Sequence, residues 1–200
     1  KYPVLYLHDG QNLFDEYAPY GNWGVDKSLE RLAMQGIGDV IIVAIDHGGV
    51  LRIQEYLPYS TPRYTEAEGN LYIKFMLEDL KPMIDSRFRV LTGRDHTGIG
   101  GSSLGGLISL YAGFKYPQIF GNMMIFSPSL WISEEIYDMA YHYVPGGPTD
   151  IYLYAGGMES ANHYSQVLRL EKILQDKRKY EGFEMIFFFF LLGQHKEIHW

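Results

Sequence analysis

The 200-residue sequence contains no cysteine. Disulfide bonds, thiolate catalysis and cysteine-ligated metal sites are therefore excluded, while the cellular compartment stays open. Basic residues are scarce, because 17 Lys and Arg stand against 24 Asp and Glu, for a formal net charge of −7. That balance argues against a nucleic acid partner, since phosphate recognition needs clustered positive charge. The longest apolar run, residues 185–192, is too short to span a membrane.

What is present is the composition of a globular domain, with 46% apolar, 20% charged and 16% aromatic residues. A chain of this length is expected to form a single domain, 1–200, around one core. The sequence begins at Lys1, not at a methionine, and a strand is predicted almost from its first residue. We therefore expect a segment trimmed at both ends, and the oligomeric state stays open.

Apolar runs and amphipathic segments alternate along the whole chain. Strands are predicted at 4–8, 40–45, 97–101, 122–126, 151–155 and 183–192, and helices at 25–35, 71–84, 107–114 and 164–177. Continuously apolar strands separated by helices predict an α/β fold, with a mostly parallel sheet of about six strands and helices on both faces. The tract 187–190 is predicted to be strand core, and 48–68 a long irregular loop.

A candidate nucleophile stands between the third predicted strand and the following helix. Residues 101–105 read Gly-Ser-Ser-Leu-Gly and match the G-x-S-x-G pattern. The glycines permit a sharp turn that exposes a serine hydroxyl, where Cβ atoms would collide with the strand and helix. A dinucleotide-binding turn is excluded, because the third glycine of G-x-G-x-x-G would have to occupy position 103. The pattern predicts Ser103 as the nucleophile of an α/β-hydrolase three-layer sandwich.

The serine needs a base, and in α/β-hydrolases the chain order is serine, acid, histidine. Four histidines follow the nucleophile: His142, His163, His195 and His199. His195 comes directly after the last predicted strand and is the predicted base, with His199 as the fallback. Together with Glu197 they form an H-x-E-x-H spacing, which matches neither known zinc pattern, so no metal site is predicted.

The acid that orients this base should follow a strand between the serine and the histidine. Glu159 is the only carboxylate in the loop after 151–155, whereas Asp150 precedes that strand. Glu159 is therefore the predicted acid. The alternative is that it serves as a first-turn acid of the following helix.

Two backbone N–H groups are expected to hold the oxyanion of the tetrahedral intermediate. One belongs to Leu104, the residue after the nucleophile. The second should come from the loop after the first strand, where Gln11 is the candidate and Gly10 or Asp9 are equal alternatives.

At this level of detail the chain resembles the putative esterase family, which includes enterochelin-esterase-like enzymes, feruloyl and acetyl-xylan esterases, esterase D and the mycolyltransferases. The matching residues run in order through nearly the full length: 2–15, Arg52 with Glu55, Tyr56 and Pro58, 100–106, 126–131, 156–159, and 193–195 with Glu197 and Trp200. The resemblance implies the triad Ser103, Glu159 and His195, carboxylic-ester hydrolysis through an acyl-enzyme, and a position for Trp131 near the substrate cleft. No cofactor is needed for this chemistry.

The substrate site is predicted from aromatic and charged residues. Trp131 and Tyr56, with Trp23, Tyr59 and Tyr64, would form an aromatic cleft for a feruloyl, sugar or catecholate group, or would pack the long loop onto the domain. Asp9 and Arg52 are also predicted to bind the substrate. Arg52 and Arg63 would meet an acidic substrate, or would pair with Glu55 and Glu66.

The expected substrate is a small-molecule or polysaccharide-linked ester, such as a feruloyl or acetyl ester of a polysaccharide or a siderophore ester. Two other functions fit the same scaffold. An acyltransferase would need an acceptor pocket that excludes water, and a non-catalytic binding protein would keep the hydrolase fold without turnover.

Overall fold

The centre of the molecule is a sheet of six strands. The computed structural model describes residues 1–15, 17–18 and 21–195. The strands are β1 (Val4–His8), β2 (Ile41–Ile45), β3 (Thr97–Ser102), β4 (Asn122–Phe126), β5 (Thr149–Gly156) and β6 (Phe183–Phe190). They lie in the order β2-β1-β3-β4-β5-β6, and every neighbouring pair is parallel. The predicted α/β fold class and its six strands are confirmed.

Helices connect the strands. They are α1 (Val25–Met34), α2 (Arg52–Tyr56), α3 (Gly69–Phe75), α4 (Lys81–Arg87), α5 (Leu104–Lys115), α6 (Glu135–His142) and α7 (His163–Gln175). A π-helical turn, Met76–Leu80, joins α3 to α4 in one continuous segment. Short 3-10 turns occur at Gly10–Asn12, Gly49–Leu51, Arg94–His96, Leu130–Ile132 and Asp176–Lys179. In the part of the chain that the structure describes, no helix has the length and apolarity to cross a membrane.

The main core lies between one face of the sheet and the helices α5, α6 and α7. Ile99, Ile125 and Leu153 point into it from adjacent strands and are fully buried. On the opposite face of β3, a Cβ at Gly100 would lie only 2.6 Å from the carbonyl oxygen of Met124. The glycines of β3 therefore let this central strand pack closely against its neighbours.

The prediction that 187–190 is strand core is wrong for half of its residues. Burial alternates along β6, so Phe187 and Phe189 pack against the core while Phe188 is 51% exposed. The strand lies at the edge of the sheet, with a neighbour on one side. Successive side chains of a strand point to opposite faces of the sheet, and the uniformly apolar composition of β6 does not show which face is packed.

The stretch 48–68 is more regular than predicted. It begins with the 3-10 turn Gly49–Leu51 and continues directly into α2. Long-range contacts hold this short helix, because Tyr56 is fully buried and Arg52 forms an ion pair with the loop after β1. The prolines at 58 and 62 favoured the prediction of a loop, and they follow the helix.

The strand order reverses next to β1. The chain passes from β1 to β2 on one side, and β3 then pairs with the other side of β1. In open parallel sheets, ligands bind at the carboxyl ends of the strands beside such a reversal. The loops that follow β1 and β3 are therefore where a site is expected.

Candidate active site

Among the described residues, three that are not glycine hold a positive φ angle, and all three follow neighbouring strands. In the described part of the chain these are Asp9 after β1 (57°), Ser103 after β3 (58°) and Ser127 after β4 (44°). Backbone conformations of this kind cost about 1–3 kcal/mol each and persist only where the surrounding structure enforces them. The strain is thus concentrated at one edge of the sheet, the edge at which the sequence predicts the site.

Ser103 occupies the sharp turn between β3 and α5, with φ 58° and ψ −119°. Its amide donates to the carbonyl of Phe126 at 3.0 Å, and its own carbonyl accepts the amide of Ser129 at 3.0 Å. Its Oγ lies 3.1 Å from the Oγ of Ser129. The loops after β3 and β4 therefore hold the turn from both sides.

The glycines around this turn are required by close packing. A Cβ at Gly101 would lie 3.0 Å from the backbone of Gly105, and a Cβ at Gly105 would lie 3.2 Å from both His8 and Asp9. Both distances are tighter than ordinary van der Waals contact. The turn at Ser103 thus depends on the approach of α5 to the ends of β1 and β3.

Glu159, in the loop after β5, is buried and surrounded by donors. Its Oε1 accepts the amide of Gly156 at 2.8 Å and the hydroxyl of Ser127 at 2.5 Å. Its Oε2 lies 2.6 Å from the Nδ1 of His195. Burial alone would raise the pKa of Glu159, but the hydrogen bonds from His195 and Ser127 hold that pKa below its usual value. The group is therefore a carboxylate at neutral pH.

His195 follows β6 and stands at the rim of the site, with 42% of its side chain exposed. The carboxylate of Glu159 can only accept a hydrogen bond, so Nδ1 of His195 carries the proton in this contact. Nε2 then points away from the acid, on the opposite side of the ring. The fallback His199, and Glu197 and Trp200 with it, lie outside the described residues.

A second histidine faces the same carboxylate. Nε2 of His163, at the start of α7, lies 3.3 Å from Oε2 of Glu159, without the alignment of a hydrogen bond. The His163 and His195 rings are 6.5 Å apart and nearly perpendicular. Burial lowers the pKa of His163, although Glu159 opposes this shift. In the sequence, His163 is one of four candidate bases, and its spacing of four residues from Glu159 is the signal that points to this contact.

The loop after β1 supplies the candidate second oxyanion donor. In the turn Gly10–Asn12, the first backbone amide that donates to another backbone group is that of Asn12. It donates to the carbonyl of Asp9. The side-chain Nε2 of Gln11 donates to the carbonyl of His47 at 2.9 Å, and its Oε1 accepts the amide of His47 at 3.2 Å. The alternative donor Asp9 does not fit, because its amide already donates to the hydroxyl of Tyr56 at 3.2 Å. The roles of Gln11 and of the Leu104 amide, which opens α5, stay predictions.

Asp9, Arg52 and Tyr56 form a buried support instead of a surface for substrate. Arg52 donates from Nε and Nη2 to the two carboxylate oxygens of Asp9, at 2.6 and 2.7 Å. Tyr56 is fully buried beneath this pair. The expectation that Tyr56 and Asp9 contact substrate is therefore corrected. Arg52 therefore pairs with Asp9 and not with Glu55. A bidentate contact to a buried carboxylate is the stronger contact. Glu55 instead accepts a hydrogen bond from the amide of Gly48.

Behind this support lies a second buried polar contact. Nδ1 of His8 lies 2.9 Å from the hydroxyl of Tyr72 on α3, and the His8 ring packs against the rings of Tyr56 and Tyr72. Burial lowers the pKa of His8 to about 4, against the opposing charge of Asp9. His8 is therefore neutral at pH 7 and belongs to the scaffold of the loop.

Of the predicted aromatic cleft, only Trp131 is well exposed, at 53%. It lies in the turn Leu130–Ile132 after β4. Trp23 packs edge-to-face on Phe126, with ring centres 5.0 Å apart. Tyr59 and Tyr64 pack against the core. Among the described residues, no group of three or more His, Asp or Glu side chains is arranged to hold a metal ion.

Known proteins resemble this chain in sequence and in fold. The family model described as "Putative esterase" matches residues 1–183. An uncharacterized protein of Bacillus subtilis (strain 168), YbbA, is 24% identical over 191 residues, which cover 91% of this chain and 73% of the relative.

Solved structures with a similar fold include an IroE-like serine hydrolase from Shewanella oneidensis, with a TM-score of 0.80 and 22% identity over 99% of this chain and 66% of that one. The enterobactin esterase of Shigella flexneri has a TM-score of 0.78 and 22% identity over 100% of this chain. The chain spans about half the length of that esterase, 49%.

We predict that replacing Arg52 by Met lowers the free energy of unfolding by about 3 kcal/mol. The substitution leaves the Asp9 carboxylate buried without its counter-ion, and the partial exposure of the arginine puts the cost at the low end for a buried pair. The double variant Asp9→Asn/Arg52→Met should recover more than half of this loss in urea denaturation. Arg63→Met, which removes a contact over the Tyr64 ring, is the control and should change stability by about 0.5 kcal/mol or less. A double variant no more stable than Arg52→Met would contradict the role given to the pair.

Proposed function

The chain belongs to the Putative esterase family, and on this premise we propose that it is a serine ester hydrolase with Ser103 as nucleophile. The observation that carries the proposal is the contact between His195 and the buried, ionised Glu159, at the same sheet edge as the strained turn of Ser103. A carboxylate-held histidine and a serine in a strained turn at one sheet edge are the parts needed to activate a hydroxyl for acyl transfer.

In the proposed reaction, the Oγ of Ser103 attacks the ester carbonyl and gives its proton to Nε2 of His195. The tetrahedral intermediate collapses when the carbon–oxygen bond to the alcohol breaks, and the imidazolium delivers its proton to the departing alcohol. A water molecule then attacks the acyl-enzyme with His195 again as base, and the acid is released. Glu159 stays ionised throughout and stabilises the imidazolium.

The oxyanion is assigned to the amides of Leu104 and Gln11. Leu104 opens α5, where the first N–H groups of a helix have no partner within it. Gln11 lies in the turn after β1, and its side chain is fixed to His47. Each such donor typically contributes a factor of about 100 to 1,000 in rate. The Asp9–Arg52 pair supports this step, because it holds the turn that carries the second donor.

For the substrate we propose an ester with an aryl or other flat acyl group. Trp131 supports this choice, because a large aromatic side chain in the loop after β4 is left half exposed at the same edge as Ser103. Related folds bear the names enterobactin esterase and ferulic acid esterase. A siderophore ester and a feruloyl ester of a polysaccharide both satisfy this description. An acetyl ester has no aryl group that would contact Trp131.

The serine mechanism is tested by comparing two adjacent serines. Ser103→Ala should lower kcat/KM for p-nitrophenyl acetate by about 1,000-fold or more, because it removes the nucleophile. Ser102→Ala removes the neighbouring hydroxyl, which belongs to β3, and should stay within about threefold of the wild type. Equal rates for wild type and Ser103→Ala would refute the proposal.

The acyl preference is tested with two esters of one alcohol, ethyl ferulate and ethyl acetate. Trp131→Ala should lower kcat/KM for ethyl ferulate by about five- to tenfold, which corresponds to an aromatic contact of about 1 kcal/mol. The rate with ethyl acetate should not change. Phe88→Ala, which alters an equally exposed aromatic residue just after α4, is the control. A loss that is the same for both esters would contradict an aryl site at Trp131.

A further inference from the structure

Glu159 is in contact with more groups than a triad needs. Its Oε1 accepts two hydrogen bonds, from Gly156 and Ser127, and these fix the plane of the carboxylate. Its Oε2 faces two imidazoles, His195 at 2.6 Å and His163 at 3.3 Å. A carboxylate oxygen has two lone pairs and can accept two hydrogen bonds. It accepts one from each imidazole only if Nδ1 of His195 and Nε2 of His163 both carry a proton.

His163 is poorly explained as a packing residue. Its side chain is 7% exposed, and its Nε2 is buried with no hydrogen bond among the described residues. A buried polar nitrogen without a partner costs about 1–3 kcal/mol. A small rotation of the ring would align the Nε2–H with Oε2 of Glu159 and remove this cost.

We propose that His163 is a positioning residue, which donates to Oε2 of Glu159 and thereby limits the negative charge that this oxygen offers to His195. The proposal rests on the proposed triad. In this arrangement the neutral His163 and the proposed base His195 both donate to Oε2 of Glu159. Removing its N–H leaves the full charge to His195, whose imidazolium form is then stabilised further.

The electrostatic surroundings of His163 are simple. Among the described residues, the charged groups that act on its ring are Glu159, in the loop before α7, and His195, in the loop after β6. Burial and the charge of Glu159 raise the pKa of Tyr154 on β5, so this tyrosine is neutral. Farther along α7, Arg169 pairs with Glu134 and leaves no net charge there. Burial lowers the pKa of His163 itself, which keeps the ring neutral at pH 7.

The experiment compares two replacements of His163 across a pH series. His163→Phe keeps the ring volume and removes the donor, whereas His163→Gln keeps an N–H near the position of Nε2. In His163→Phe, the acid limb of kcat/KM against pH should move to higher pH by about 0.5 to 1 unit, because the protonated His195 is more stable. His163→Gln should retain the wild-type midpoint. Equal shifts in the two variants, or no shift in either, would overturn the proposal.

A second readout needs no substrate. In protein labelled with ¹⁵N-histidine, the Nδ1 proton of His195 in its short contact with Glu159 should give a low-field NMR signal, and the pH at which this signal titrates should move with the kinetic midpoint. If the wild type hydrolyses no ester, the proposed function fails, but this titration still decides the role of His163. Should His163→Phe not fold, His163→Asn replaces it, because its shorter side chain does not reach Oε2.

Discussion

The buried carboxylate of Glu159 is the contact on which the candidate site depends. Ser127 joins it to the loop after β4, Gly156 joins it to the end of β5, and His195 joins it to the loop after β6. An ionised carboxylate that is 3% exposed is costly unless such donors surround it. The hydrogen bonds that stabilise this charge therefore also fix the position of His195. The same contacts stabilise the loops locally and orient the proposed base.

The positions of the proposed triad were predictable because chain order and sheet topology constrain them. A glycine-flanked serine between strand and helix, an acid after a later strand and a histidine after the last strand must all meet at the carboxyl edge of a parallel sheet. Glu159 and His195 do meet there. Ser103 lies at the same edge in a strained turn. The roles of these residues in catalysis stay proposals, whereas the six-stranded fold is established.

Other features depend on tertiary contacts that sequence patterns do not encode. Arg52 had exposed and buried acids within reach of its long side chain, and only the fold reveals that Asp9 is the partner. Tyr56 has the composition of a binding residue but is fully buried. Phe188 belongs to an apolar run, yet it faces outward because successive side chains of β6 point to opposite faces of the sheet. The contact of His163 with the acid was visible only as a spacing of four residues.

The central claim is that Ser103 carries the acyl group during turnover. The direct measurement is to mix the protein with an excess of p-nitrophenyl acetate, to quench with acid within milliseconds to seconds, and to determine the mass of the protein and its peptides. The account predicts an added acetyl group on the peptide that contains Ser103, formed before steady state and lost as the substrate is consumed. Continued turnover with no acyl group on this peptide, or with the acyl group on another residue, would contradict it.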